Sequence, residues 1–159
     1  MWWKRVAKFV AAVGVCLLAG AVGGLFTSPA IPGWYAGLQK PAFNPPNWIF
    51  GPVWTTLYVL MGIAAFLAWD KGWRRPGVRP ALAVFATQLA LNILWSVLFF
   101  GARSPAAALV DIVALWLAIV ASIVLFRRVS QAAAVLMVPY LLWVSFAAAL
   151  NVAIVALNP

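Results

Sequence analysis

Three stretches of this chain place aromatic and amide side chains at helical spacing. At 100° per residue Trp54, Tyr58, Met61 and Ala65 fall on one stripe, as do Gln88, Asn92, Trp95 and Phe99. Tyr140, Trp143, Ala147 and Asn151 form a third. An unpaired amide or indole N–H is costly in an apolar medium, so such faces turn inward. They then either pair with one another as helix–helix glue or line a pocket. Three flat indoles, Trp54, Trp95 and Trp143, suit a planar apolar ligand with a few polar edges.

The rest of the inventory excludes much chemistry. There is no histidine, one cysteine (Cys16) and two acids (Asp70 and Asp111). That set supplies no internal disulfide, no cysteine metal cluster, no imidazole base or haem ligand, and neither a hydrolytic triad nor a carboxylate pair. No metal site and no resident cofactor are expected. Asp111 is the one acid expected at membrane depth, where it either bonds a neighbouring helix or takes part in function.

The elements that position these faces follow from composition. Hydrophobic residues make up 67% of the chain and charged ones 8%, against about 25% charged in soluble domains. A hydrocarbon core of about 30 Å needs roughly 20 apolar residues per helix. Residues 9–26, 49–69, 81–101, 106–126 and 132–157 qualify. In lipid, apolar runs of this length without period-two alternation are helices. The expected fold is an all-α integral membrane protein, one transmembrane domain over 1–159 with five helices and a long ordered loop between the first two. Pro52 is placed in the first turn of the second helix, and only Pro139 is expected inside a helix. The first run has a rival reading as a signal peptide, because Lys4, Arg5 and Lys8 precede it. At about 18 residues it exceeds the usual apolar region of about 7–15.

The net charge of +9 carries no nucleic-acid motif; it reads as topology. Lys4, Arg5, Lys8, Lys71, Arg74, Arg75, Arg79, Arg127 and Arg128 lie on one side, Lys40 and Arg103 on the other. The positive-inside rule therefore puts the N-terminus in the cytoplasm and the first loop outside, with a bacterial cell membrane favoured. Trp2, Trp3, Trp48, Trp69 and Trp73 fall at helix ends as interfacial anchors.

The segment Thr27–Trp48 holds five of the eleven prolines together with Trp34, Tyr35, Phe43 and Trp48. Proline stiffens it and the aromatics set it apart from a disordered linker. It lies either in the headgroup layer or as a lid over the bundle, with Trp34, Pro41, Asn44, Pro45 and Pro46 as lid residues.

The run from Trp34-Tyr35-Ala36-Gly37-Leu38-Gln39-Lys40-Pro41 through Asn44-Pro45-Pro46-Asn47-Trp48-Ile49-Phe50 resembles the signature loop of the TspO/MBR family. This is the tryptophan-rich sensory protein family, related to the mitochondrial translocator protein. Val53-Trp54-Thr55-Thr56-Leu57-Tyr58, Gln88 to Trp95, and Val138-Pro139-Tyr140 to Asn151 resemble it too. The resemblance implies a five-helix bundle, usually a homodimer, with a pocket under the first loop. It also implies binding of porphyrins, notably protoporphyrin IX, and of benzodiazepine-site ligands. Carried over, Tyr35, Trp54, Asn92, Trp95, Trp143 and Ala147 would line the pocket; Tyr58, Gln88, Phe99 and Tyr140 join them from the helical faces. Some bacterial members promote light-dependent porphyrin breakdown, which would make Trp54 and Trp143 catalytic. Nothing basic follows Tyr140, which argues against cholesterol binding.

The expected function is thus a membrane receptor or sensor for porphyrins and related planar ligands. The alternatives are a porphyrin-degrading photoenzyme and a porphyrin or amphipath transporter. For the dimer, two small-residue stripes offer close packing: Cys16, Gly20 and Gly24 on the first helix, and Ala83, Ala86 and Ala90 on the third.

Overall fold

A computed structural model of the chain describes all residues from Met1 to Pro159. Five helices are long and apolar enough to cross a membrane, and there is no strand. They are α1 (Trp2–Ala30), α2 (Asn47–Asp70), α3 (Val78–Ser96), α4 (Pro105–Val129) and α5 (Gln131–Leu157). A π-turn extends α1 over Ile31–Tyr35, and another extends α3 over Val97–Gly101. The helices pack in the ring order α1–α2–α5–α4–α3, closing back onto α1.

The main departure from expectation is at the first connection. The expected loop began at Thr27, but α1 and its π-turn run unbroken through Pro29 and Pro32 to Tyr35. Non-helical chain is confined to residues 38–46, apart from one turn at Ala42 and Phe43. Proline removes one N–H and its ring crowds the carbonyl one turn back, and the wider π-turn around Pro32 absorbs that crowding. The 34 residues span about 50 Å, well beyond the hydrocarbon, so α1 continues where its apolar run has ended.

Proline placement differs elsewhere too. The second helix starts at Asn47, so Pro52 sits in its second turn. Pro29 and Pro52, as well as Pro139, therefore lie inside helices. Ser104 and Ser130 cap α4 and α5, accepting from the amides of Ala107 and Ala133, as serine at a helix start does.

Between apolar helices in lipid there is no water to expel, so association depends on close packing and interhelical hydrogen bonds. The α1–α2 seam shows the packing: a Cβ added to Gly62 would meet Val13 Cα at 2.5 Å. Phe9 stands edge-on to Phe66 at 5.4 Å, and Arg5 pairs with Asp70 at 2.8 Å. Phe85 and Phe126 stack at 5.6 Å between α3 and α4. Leu18, Val110 and Leu142 face outward, as in a protein solvated by acyl chains.

Candidate functional site

At the end opposite Asp70 the tight α1–α2 seam opens into a cavity of about 600 Å³. Four helices wall it and α4 contributes nothing. Of the residues singled out from the sequence, Tyr35, Trp54, Tyr58, Asn92, Trp95, Phe99, Trp143 and Ala147 all stand in the wall. Gln88 and Tyr140 do not; both are fully buried deeper in the bundle. They share a stripe with wall residues, but the cavity occupies only one half of each helix.

The polar groups of this half are mostly engaged with one another. Tyr58 OH donates to Asn92 Oδ1, and Asn92 Nδ2 donates to Tyr140 OH at 2.8 Å. The Trp95 indole N–H donates to Asn151 Oδ1 at 3.1 Å, and Asn151 Nδ2 to the Pro105 carbonyl at 2.9 Å. These bonds tie α2, α3, α5 and the start of α4 together, the glue reading realised. Trp143 is different. Its Nε1 is buried and has no hydrogen-bond partner, although the ring stands in the cavity wall between Phe50 (6.0 Å) and Phe146 (5.3 Å). A buried orphan donor costs about 1–3 kcal/mol.

The outer rim is aromatic. The two π-turns meet there, with Trp34 edge-on to Phe99 at 5.7 Å and Tyr35 tilted against Phe100 at 5.7 Å. Trp95 stacks on Phe99 at 4.9 Å. Tyr35 is held by a bond from its hydroxyl to Asn44 Oδ1 at 3.0 Å, with Lys40 Nζ 4.7 Å over its ring. Lys40 also donates to the Ala36 and Leu38 carbonyls, which terminates the helix. The 38–46 segment is strapped to α5 by Asn158, which accepts from the Gln39 amide at 3.0 Å and donates to the Gln39 carbonyl at 2.9 Å.

None of the five residues assigned to the lid, Trp34, Pro41, Asn44, Pro45 and Pro46, is in the cavity wall. Two of them contact the rim: Trp34 braces the α3 π-turn and Asn44 holds Tyr35. The chain reaching the cavity at that end comes instead from Ile31 and Tyr35 and from Asn47 and Trp48.

Sequence reading missed the α1 wall. Gly20, Gly23, Gly24, Thr27 and Ile31 line the cavity, whereas Cys16, Gly20 and Gly24 had been offered as a dimer face. Cys16 is buried, and Gly20 lies against the Tyr58 ring, so this stripe faces into the bundle. Glycines three and four residues apart, followed by a threonine, were the available signal. Small side chains on one inward face leave space as readily as they permit close approach. Every exposed wall residue lies on α1 (Leu17, Ala21, Ser28) or α2 (Asn47, Trp48, Gly51, Thr55), so the open side of the cavity is the seam between these two helices. Asp111 stands outside the wall, buried on α4 with Oδ2 unpartnered.

Five spanning helices around a cavity open between two of them define a multi-pass integral membrane protein. Residues 12–157 match the TspO/MBR family. The chain is 46% identical over 156 residues to the tryptophan-rich protein TspO of Chlorobaculum tepidum, covering 98% of this chain and 99% of that one. It is 49% identical over 155 residues to the tryptophan-rich protein TspO of Archaeoglobus fulgidus (97% and 99%). With the translocator protein of Sus scrofa it shares 44% over 146 residues (88% and 85%). The chain belongs to the TspO/MBR family.

Proposed function

We propose that this protein is a membrane receptor or sensor that takes a porphyrin, or a similar planar hydrophobic molecule, into the cavity between α1 and α2. The observation that carries this is a cavity whose wall brings together the three indoles of Trp54, Trp95 and Trp143. Flat indole faces are matched by a ligand that is mostly apolar and planar. A volume of about 600 Å³ falls within the roughly 300–1,000 Å³ range of small-molecule pockets. Trp54 and Trp95 supply flat faces, Tyr58 and Asn92 a polar corner, and Tyr35, Phe99 and Ala147 the remaining shape. The name "Tryptophan-rich sensory protein" of a Cereibacter sphaeroides relative agrees with a sensing role.

Titrating protoporphyrin IX against tryptophan fluorescence in detergent tests the reading. Saturable quenching in the micromolar range is expected in the wild type. Trp143→Phe, which trims the indole from the wall, should weaken binding by up to about tenfold, the worth of one aromatic contact. Absence of quenching in the wild type would refute it.

A second reading follows from Trp54 and Trp143 sharing the same wall: light-driven oxidation of the bound pigment, with dioxygen as oxidant and these indoles as redox-active side chains. Loss of porphyrin absorbance under light, slowed in Trp143→Phe, would support it; equal rates would remove Trp143 from any catalytic role. The name "Translocator protein" of the mammalian relatives motivates a proteoliposome uptake assay for carriage. We further propose a cytoplasmic N-terminus in a bacterial cell membrane, and a homodimer through the exposed Ala83, Ala86 and Ala90 face of α3. Reporter fusions at each terminus test the first.

A further inference from the structure

The end of the bundle that carries nine of the eleven basic residues holds a charge imbalance that nothing in the chain resolves. Only two acids exist. Asp70 is taken by Arg5 Nε at 2.8 Å and Lys8 Nζ at 4.0 Å. Asp111 is buried in the half of α4 nearer Pro105, away from this end. Arg74, Arg75 and Arg79, clustered in the α2–α3 connection and the first turn of α3, therefore have no carboxylate to pair with.

These three arginines are also held in a shape. Gly72 (φ 109°) and Gly77 (φ 88°) take positive φ, which turns the chain twice within six residues. The Arg75 amide donates to the Gly72 carbonyl at 3.0 Å, and the Val78 amide to the Arg75 carbonyl at 3.2 Å. Pro76 and Pro80 stiffen the same stretch. Trp73 lies under the Arg79 guanidinium at 5.5 Å. The result is a shallow cleft of about 420 Å³ whose rim is Trp73, the three arginines and the turn between them. The first turn of α3 has no acid and no side-chain cap, so its positive end adds to the guanidinium charge. Arg127 and Arg128, at the same end on α4, are not part of this cleft.

A bilayer presents phosphates at the depth marked by interfacial tryptophans such as Trp69 and Trp73. Guanidinium binds phosphate through paired N–H donors, and near an anionic surface each arginine contributes separately. We propose that the Arg74–Arg75–Arg79 cleft is a binding site for the phosphate of an anionic phospholipid headgroup in the leaflet at the basic end. It is distinct from the porphyrin cavity and independent of it.

The test uses the full chain in detergent micelles, with native mass spectrometry to follow retention of dioleoyl phosphatidylglycerol and, separately, dioleoyl phosphatidylcholine. Wild type should retain one phosphatidylglycerol at least tenfold more tightly than phosphatidylcholine. R74Q/R79Q should lose this by about thirtyfold, while R127Q/R128Q, which removes the same charge, should stay within twofold. R74K/R79K keeps both charges without the planar forks and should weaken retention at least threefold. Equal weakening by both glutamine pairs would show diffuse attraction and overturn the site, as would no preference over phosphatidylcholine or no effect of the lysine pair. Full displacement of the lipid by millimolar inorganic phosphate would assign the cleft to a free anion and also overturn the proposal. Since the arginines are exposed, unchanged helical circular dichroism is expected in every variant.

Discussion

Gly20 and Gly24 stand one turn apart in the same cavity wall, yet alanine should act oppositely at the two positions. A Cβ on Gly20 would lie 2.6 Å from both Cδ2 and Cε2 of Tyr58. That ring cannot swing aside freely, because its hydroxyl is bonded to Asn92, which in turn donates to Tyr140. Overpacking costs about 1–3 kcal/mol, and weakening an interhelical bond in a membrane protein adds about 0.6 kcal/mol. Replacing glycine inside a helix returns up to about 1 kcal/mol. Gly20→Ala should therefore be destabilising by about 1–2 kcal/mol, or roughly 2–8 °C in unfolding midpoint. Nothing lies within 4 Å of a Cβ on Gly24, so Gly24→Ala should be neutral or stabilising by up to about 1 kcal/mol. Thermal unfolding in detergent, followed by intrinsic fluorescence, reads both. In Tyr58→Leu, which removes the ring, the cost of Gly20→Ala should largely vanish, a coupling visible in the double-mutant cycle. Equal midpoints for the two alanine variants, or a cost unchanged by Tyr58→Leu, would refute the steric account.

Three further outcomes are expected. Gly62→Ala sets a Cβ against the backbone of Val13, which cannot rotate away; the loss should reach about 3 kcal/mol and show as a collapse in monodisperse yield, with Gly14→Ala tolerated. Asn158→Ala removes both bonds to the Gln39 backbone, so the Gln39 amide should exchange with deuterium up to about tenfold faster while amides in the middle of α5 keep their rates. Ala86→Leu, on the exposed α3 face, should yield monomers in detergent by light scattering without lowering the unfolding midpoint; unchanged dimers would exclude that face.

The helical faces on α2, α3 and α5 were legible because indoles and amides at a period of 3.6 announce an inward stripe. Where along each stripe the cavity begins was not legible. Gln88 and Tyr140 carry the same chemistry as Asn92 and Trp143 but lie below the floor, Gln88 against the Met61 sulfur and Tyr140 within the buried core. The spans of α2 to α5 were readable to within a few residues from hydropathy. The first helix was not, because its apolar run ends at Phe26 while the helix continues through Pro29, and the π-turn that accommodates Pro32 leaves no trace in composition. The α1 wall was obscured for a related reason. Its contribution is the absence of side chains at Gly20, Gly23 and Gly24, and the same glycine spacing serves equally for close helix packing.

For the hydrophobic ligand proposed above, the open seam between α1 and α2 also decides which concentration governs occupancy. Leu17, Ala21, Gly51 and Thr55 border the opening along one half of α1 and α2. A hydrophobic compound dissolved among the acyl chains therefore meets the cavity without first passing through water. For such a compound the relevant variable is its mole fraction in lipid. Doubling the lipid or detergent at a fixed total of ligand halves that fraction, and below saturation it halves occupancy, while the molarity of the sample is unchanged. Dissociation constants quoted per litre will drift with the amount of membrane present; quoted per mole of lipid, they become a property of the protein.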